Sequence, residues 1–241
     1  MDRLTTLVER FHLSVQGAPL PDANLVAFAA ADGTPARVTF YVSKNCGLEE
    51  AAGVIFSAHV DWSGPANPLL AALPAQVDFD LTTQEDTRAL VSLMSEEARG
   101  NRCGAQTVIN RLGEVLMVRL LRDQIERGTT EAGLLAGMAD PRLHRAIVSI
   151  HDHPERLWSN ADLAEVAGLS LSRFAELFGQ IVGETPMGYL RRWRLILARQ
   201  DVLRGDRIDA VSRRYGYGSA ESFTRAFRKA YGTAPSALRP S

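Results

Sequence analysis

The feature that most constrains the fold is a pattern that occurs twice in the last hundred residues, 49 positions apart. The first copy, GLSLSRFAELFGQIVGETP, occupies residues 168–186, and the second, YGSAESFTRAFRKAYGTAP, occupies residues 217–235. In each copy a serine, two phenylalanines four residues apart, a glycine and a proline stand at the same distances, and a helical run comes before. The repeat therefore predicts two similar units of helix, glycine-containing turn, serine N-cap and longer helix.

The longer helix of each unit is amphipathic. Residues four apart share a helix face, so the paired phenylalanines are expected to face inward. In the second copy the opposite side carries polar and basic residues: Glu221, Thr224, Arg225 and Arg228, with Lys229 beside them. Such a helix fits the DNA major groove, where arginine can read guanine and threonine can contact a phosphate or a base. The alternative is an antiparallel helical hairpin with a solvated polar face, and the duplication favours the double helix-turn-helix.

Charge is distributed unevenly along a chain whose net charge is −1. Residues 141–241 hold 16 Lys and Arg against 10 Asp and Glu, whereas residues 1–140 hold 11 against 18. This asymmetry predicts a module that binds polyanions, joined to one that does not. The helix predicted between the two copies adds outward-facing arginines, some of which are expected to contact phosphates. These are Arg191, Arg192, Arg194 and Arg199.

The first half mixes short β-like runs with two longer helices. Residues 25–42 predict two strands around an Asp-Gly turn, and residues 53–62 predict another strand. A short helix or turn follows at 67–74, then a helix at 82–100 with threonine caps. We therefore expect an α+β chain: a small β-rich domain with two helices over 1–135 and an all-α domain over 136–241. The segment 128–141, which is rich in small residues, is the predicted linker.

The second long helix, predicted over residues 104–127, carries an apolar stripe. Its members are Val108, Leu112, Val115, Leu116 and Leu120. One interpretation is packing onto the β-rich part of the domain. The other is that the exposed share of the stripe, with Val108, Leu112, Val115 and Leu116 as its candidate residues, forms a dimer seam. The sequence leaves both open.

The two cysteines, Cys46 and Cys103, are too few for a disulfide framework and have no C-x-x-C spacing. We expect two reduced thiols, and the alternative is a redox-sensing pair. No apolar run is long enough to span a membrane, and the N-terminus has no signal-peptide-like stretch, so a cytoplasmic location is the expectation.

Residues 141–239 resemble the DNA-binding domain of AraC/XylS-family transcription regulators nearly end to end. WSNADLAEVAGLSLSRFAELFGQIVGETPMGYLRRWRLILARQDVL is similar to the family's first motif and linker helix, and IDAVSRRYGYGSAESFTRAFRKAYGTAPSALR is similar to its signature second motif. The resemblance implies a seven-helix unit whose two recognition helices enter successive major-groove faces about 34 Å apart. It places those helices at residues 171–182 and 220–231.

The resemblance also implies which side chains face the groove. On the first recognition helix they are Ser172, Arg173, Ala175 and Glu176, and on the second they are Ala220, Glu221, Ser222, Thr224 and Arg225. Family members often carry bulkier or basic groups where Ala175, Glu176 and Ala220 stand. Few direct base contacts are therefore expected from the first motif, with Arg173 as its main reader.

Residues 1–135 are similar, more loosely, to the cupin-like N-terminal domain of one branch of that family, in a shortened form. This resemblance implies dimerisation and a response to small molecules or oxidants, with promoter DNA, RNA polymerase and a second copy of the chain as partners. We expect a regulator, and an activator in particular. An enzymatic cupin is not expected.

No cofactor or metal is expected. A cupin metal site typically needs three histidines and a carboxylate, and this half has only His12 and His59. His151 and His153, two positions apart, do not share a helix face, so both are expected at the surface or in an interface.

Overall fold

The computed structural model describes residue 4 and residues 11–42, 45–62, 67–100, 102–127 and 133–239. The chain divides into two compact units, one over residues 7–129 and a second that includes residues 130–241. Among the described residues, no helix combines the length and the apolar character needed to cross a membrane.

The first unit contains an antiparallel sheet, in the order β1-β4-β2-β3-β5. The strands are β1 (Leu13–Gly17), β2 (Leu25–Ala29), β3 (Pro35–Tyr41), β4 (Val54–Trp62) and β5 (Gln76–Asp80). The two strands predicted around an Asp-Gly turn are confirmed as β2 and β3, and Gly33 adopts the positive φ of 82° that the turn requires. On β4, Phe56, Ala58, Val60 and Trp62 alternate into the core. Because β1 and β5 each pair on one side only, the described sheet is open.

Three helices accompany the sheet: α1 (Pro68–Ala71), α2 (Glu85–Gly100) and α3 (Ala105–Arg127). The predicted threonine caps of α2 are wrong. The helix begins at Glu85, and Thr82 instead donates from its backbone N and Oγ1 to the carboxylate of Asp80, at 2.8 and 2.7 Å. Helix α3 packs on α2 and β1, where Gly113 allows close approach to Val15.

The apolar stripe of α3 is divided between two faces, so the prediction of a single face is wrong. Leu116 and Leu120 are buried, together with Ile109, and Leu116 is only 1% exposed. Val108 and Val115 are 37% and 46% exposed. Leu112 is partly exposed between them. Leu116 is thus part of the core. The other three residues, Val108, Leu112 and Val115, form a surface that we call the outer apolar face of α3.

The second unit is helical, as predicted. Its helices are α4 (Leu134–Ala139), α5 (Leu143–Asp152), α6 (Asn160–Ala167), α7 (Leu171–Val182), α8 (Pro186–Leu203), α9 (Ile208–Arg214) and α10 (Ala220–Tyr231), followed by a 3₁₀ turn at Pro235–Ala237. Residues 133–239 therefore hold seven α-helices, the number that the resemblance implies. The two expected recognition helices are α7 and α10, with the expected bounds.

The predicted linker, residues 128–141, contains a helix in its described part. Its residues 128–132 lie outside the described part of the chain, but residues 134–139 form α4, whose Leu134, Leu135 and Met138 are buried. The backbone N of Gly133 donates to the carbonyl oxygen of Ile181 at 2.9 Å. These three apolar side chains give the six-residue helix a face that packs into the core. The composition of the segment, which is rich in small residues, did not predict this burial.

Candidate nucleic-acid interface

Both recognition helices begin with a serine N-cap and end at a glycine C-cap. The Ser170 hydroxyl accepts from the backbone N of Arg173 at the start of α7, and the Ser219 hydroxyl accepts from the backbone N of Ser222 at the start of α10. Left-handed glycines then terminate them, Gly183 with φ 83° and Gly232 with φ 72°. These caps satisfy terminal backbone groups and fix where each helix starts and stops.

The inner face of each recognition helix is an aromatic anchor. Phe174 and Phe178 on α7, and Phe223 and Phe227 on α10, are all fully buried. In each pair the ring centroids lie 5.5 Å apart in an edge-on arrangement. Burying two phenyl rings per helix contributes several kcal/mol to the docking of that helix, roughly 2–3 kcal/mol for each ring. The inward orientation predicted for the four rings is confirmed.

The outer face of α10 is polar and mostly basic. Glu221, Arg225, Arg228 and Lys229 are exposed, whereas Ala220, Ser222 and Thr224 are partly exposed. Within the described residues, the three cationic side chains form no hydrogen bond or ion pair. A hydrogen bond from the Ser219 hydroxyl lowers the pKa of Glu221 below its usual value, so this carboxylate stays ionised at neutral pH. Because Arg225, Arg228 and Lys229 form no such bond or ion pair with a described residue, they are free to contact a polyanion.

The outer face of α7 carries a balanced charge. Ser172, Arg173, Ala175 and Glu176 are all exposed, as expected of groove-facing positions. Arg173 Nη1 donates to Glu176 Oε2 at 2.8 Å. The Nε2 of Gln180 approaches the other carboxylate oxygen at 3.4 Å. The first motif therefore presents an ion pair where the second presents unpaired cations.

The arginines of α8 divide into exposed and anchored side chains. Arg191 is exposed and makes no hydrogen bond with a described residue. Arg192 is also exposed, but its Nη2 lies 2.6 Å from Glu184 Oε1 and its guanidinium lies over the ring of Tyr189. Both stay available at the surface, with Arg192 held in one orientation.

Two other α8 arginines have structural roles that sequence reasoning missed. Arg194 Nε and Nη2 donate to the carbonyl oxygens of Pro154 and Arg156, at 2.6 and 2.8 Å. Burial lowers the pKa of Arg194. Arg199 lies over the ring of Tyr231, whose pKa burial raises to about 12. Tyr231 is thus neutral at physiological pH, and the positive charge here comes from the arginine.

Asp201 joins α8 to the second motif, and no sequence signal distinguished it from a surface acid. Its side chain is buried and accepts from Tyr215 Oη at 2.7 Å and from Arg214 Nη1 at 2.5 Å. Arg204 also pairs with it. The spacing i, i+3 to Arg204 is a helix-surface pattern, whereas the contacts with Tyr215 and Arg214 require the tertiary fold.

His151 was expected at the surface or in an interface, and the surface position is wrong. It is 1% exposed, its Nε2 lies 2.5 Å from Tyr189 Oη, and its ring lies 4.4 Å from that of Trp193. His153 is exposed, 3.6 Å from Glu155 Oε1. The described residues contain no group of three or more His, Cys, Asp or Glu that could hold a metal ion.

The candidate redox residues differ in access. Cys46 is buried, and its Sγ lies 2.9 Å from the carbonyl oxygen of Leu20. Cys103 is exposed in the turn before α3. Near that turn, an open groove of about 830 Å³ is lined by Phe56 and Ile109 and by Arg99 and Arg102, among others. The lining combines apolar and charged residues of the first unit, and its Glu97 pairs with Arg102 at 3.5 Å.

Comparison with known proteins identifies both halves. A helix-turn-helix domain model matches residues 163–241, and a cupin model matches residues 14–126. A putative AraC-like transcription regulator of Streptomyces lividans is 31% identical over 175 residues, which are 71% of this chain and 58% of that protein. The chain belongs to the AraC family. Its matched domains and relatives are those of transcription regulators and not of enzymes.

Two further proteins are similar to this chain. The HTH-type transcriptional regulator AlkR of Acinetobacter baylyi is 30% identical over 194 residues, 78% of this chain and 63% of that protein. The crystal structure of a transcriptional regulator with an AraC-type DNA-binding domain from Chromobacterium violaceum is 27% identical, covers 41% of this chain and 89% of that one, and gives a TM-score of 0.39. The chain spans about 60% of the length of the two relatives named here.

Proposed function

We propose that the chain is a sequence-specific transcription regulator that binds double-stranded promoter DNA through α7 and α10. The observation that carries the proposal is the outer face of α10, where Arg225, Arg228 and Lys229 stand exposed and unpaired opposite two buried phenylalanines. An amphipathic helix anchored in this way presents its cations to a polyanion without having to break internal ion pairs. Arg191 and Arg192 on α8 add phosphate contacts.

Arginine at the middle of α10 supplies the direct base contact of this proposal. A guanidinium can donate two parallel hydrogen bonds to O6 and N7 of guanine in the major groove. Ala220, Ser222 and Thr224, which are partly exposed, line the same face and allow close approach, and Glu221 restricts the bases accepted beside it. On α7, Ser172, Arg173 and Glu176 are the corresponding contacts.

The N-terminal unit dimerises the protein in this proposal. Val108 and Val115 give α3 an outer apolar face that a second copy would cover, and Leu112 lies between them. Leu116 has no part in the seam, because it is buried within its own unit. A dimer would place two DNA-binding units on one promoter, which raises affinity through effective concentration.

A signal reaches this regulator through the same unit. The open groove beside the start of α3 has apolar lining from Phe56 and Ile109. Arg102 in its lining pairs with Glu97 at 3.5 Å, which leaves Arg99 as the cation for a small anionic effector with an apolar body. We place the regulator in the cytoplasm as an activator that contacts RNA polymerase once bound.

Footprinting of the full chain on genomic fragments tests the DNA-binding proposal. We expect discrete protected sites, and Arg225→Ala should weaken binding to them by about 1–3 kcal/mol and relax base preference at one position. Arg37→Ala, which removes an exposed arginine from β3, is the matched control and should leave affinity unchanged. Uniform, weak binding to every fragment by the wild type would contradict the proposal.

A second candidate is a redox-sensing regulator, and the exposure of Cys103 is the observation that favours it. Peroxide or hypochlorite treatment should then change DNA affinity in the wild type and in Cys46→Ser, but not in Cys103→Ser. Equal affinities before and after oxidation in all three proteins would show that the thiols have no regulatory role.

A further inference from the structure

Glu176 and Arg225 occupy equivalent positions in the two recognition helices. They are 49 residues apart, the spacing of the repeat, and each stands midway between the two buried phenylalanines of its own helix. At 100° per residue, a position two residues from both rings lies on the opposite side of the helix. Each residue is therefore at the centre of the outer face, where a helix in the major groove meets base edges.

The chemistry at this equivalent position is opposite in the two motifs. Glu176 offers only acceptors when ionised, and Arg225 offers only donors. The Glu176 carboxylate is oriented by Arg173 at 2.8 Å and approached by Gln180 at 3.4 Å. Arg225 forms no hydrogen bond or ion pair within the described residues, and Glu221, one turn earlier, interacts with it only through its charge.

We propose that Glu176 is a specificity-determining residue that reads cytosine in the first half-site, while Arg225 reads guanine in the second. The inference rests on the proposed function, that α7 and α10 bind the major groove. Cytosine presents the N4 amino donor in that groove, and a carboxylate is the group that accepts from it. Guanine presents two acceptors, which suit the guanidinium of Arg225.

The ion pair with Arg173 makes a carboxylate tolerable at a DNA surface. A lone glutamate would be repelled by the phosphates, but the adjacent guanidinium cancels its charge. Each carboxylate oxygen has two acceptor sites, so the bonds from Arg173 and Gln180 leave sites for a base. Arg173 keeps further N–H donors for guanine or phosphate. The first motif then contributes base selectivity but little net electrostatic attraction to the DNA.

The same geometry rejects other bases. Guanine N7 and O6, and thymine O4, would place acceptors against the Glu176 carboxylate and leave both partners unpaired. Adenine has an amino donor but also the N7 acceptor beside it, so it is a poorer match than cytosine. Preference for cytosine should therefore be strongest against guanine and thymine.

Selection of bound sequences from a randomised DNA library, with the full chain, tests the inference. The wild type should enrich cytosine at one position of the first half-site. Glu176→Gln keeps the side-chain shape but adds donors, and glutamine pairs with adenine N6 and N7. The preferred base at that position should therefore change from cytosine to adenine, with a shift in the enrichment ratio of the two bases on the order of tenfold. Arg225→Gln should change guanine to adenine at one position of the other half-site only.

Two control variants make the outcomes decisive. Glu165→Gln removes an exposed carboxylate from α6, outside the recognition helices, and should leave every base preference unchanged. Glu176→Ala should flatten the preference at the cytosine position, and it replaces the glutamine variant if that protein does not fold. If the wild type enriches a site and both Glu176 variants enrich the same site, the inference is overturned and the proposed function stands. If the wild type enriches no sequence, both fall.

Discussion

Arg194 Nε donates to the carbonyl oxygen of Pro154 at 2.6 Å, and this bond ties the helix between the two motifs to the loop before the first. A second bond to the carbonyl oxygen of Arg156 holds the same loop. The guanidinium also lies against Gly216 in the turn of the second motif, where a Cβ would come within 3.3 Å of it. One side chain therefore contacts both the loop that leads into the first motif and the turn of the second, which makes Arg194 a determinant of their relative placement.

Replacing Arg194 by methionine keeps the apolar stem and removes both hydrogen bonds. We expect the second unit to lose about 1–3 kcal/mol of stability, because two carbonyl groups lose a charged donor. Denaturant unfolding of the full chain, followed by tryptophan fluorescence, measures this, since Trp158 and Trp193 lie in that unit and the contribution of Trp62 from the first unit is common to wild type and variant. Arg191→Met, on the same helix but without hydrogen bonds, is the control. Equal unfolding midpoints for the wild type and Arg194→Met would refute the role.

The cations of α10 should determine the salt dependence of DNA binding. Each phosphate contact contributes close to one unit to the slope of log K against log salt concentration. Arg228→Ala and Lys229→Ala should each lower the slope by about one, with base preference unchanged. Fluorescence anisotropy titrations from low to moderate salt measure the slope. Arg37→Ala on β3 should keep the wild-type slope, and a wild-type slope in both α10 variants would exclude Arg228 and Lys229 from phosphate contact.

The parts of the fold that follow from local rules could be predicted from the sequence. The bounds of α7 and α10 were predictable because a serine N-cap and a C-terminal glycine stand at fixed distances from the buried phenylalanines. The strands β2 and β3 were predictable because an Asp-Gly pair separates two β-branched and aromatic runs. In each case, the signal and the structure it determines lie within one short segment.

The features that escaped prediction depend on contacts between distant segments. Asp201 resembles any helix-surface acid until Tyr215 and Arg214 are placed against it. His151 is followed by the polar residues Asp152 and His153, and only the packing of α8 buries it against Tyr189. Leu116 shares a stripe with exposed valines because α3 has two apolar faces, and the sequence does not say which one meets the sheet. Similarly, the bonds of Arg194 distinguish it from Arg191 only in the folded unit.

Dimerisation through the outer apolar face of α3 can be tested with one substitution that introduces a charged side chain. Val115→Asp would place a carboxylate in a seam that excludes water, so the dimer should dissociate at least about tenfold more readily. Leu203→Asp is the matched control, because Leu203 is 44% exposed and Val115 is 46% exposed, but Leu203 lies in the DNA-binding unit. Sedimentation velocity over a range of concentrations measures both. A dimer that persists unchanged in Val115→Asp would locate the seam elsewhere.

Gly137 in α4 tests how tightly this short helix is packed. A Cβ at this position would lie 2.6 Å from Ile147 Cδ1 and 2.8 Å from Val182 Cγ2. Gly137→Ala should therefore destabilise the second unit by about 1–3 kcal/mol through overpacking, although alanine is the better helix former. Denaturant unfolding followed by tryptophan fluorescence gives the change in free energy.

Gly179→Ala is the matched control for this substitution. Gly179 also lies within a helix, but a Cβ there meets no atom within 4 Å. The substitution should stabilise α7 by up to about 1 kcal/mol, because glycine loses more backbone entropy on folding than alanine. If the free energy of unfolding changes with opposite sign in the two variants, the effect of packing around α4 is separated from the effect of helix propensity. A stabilising Gly137→Ala would mean that α4 is loosely held and that residues 134–139 act as the linker that the composition suggests.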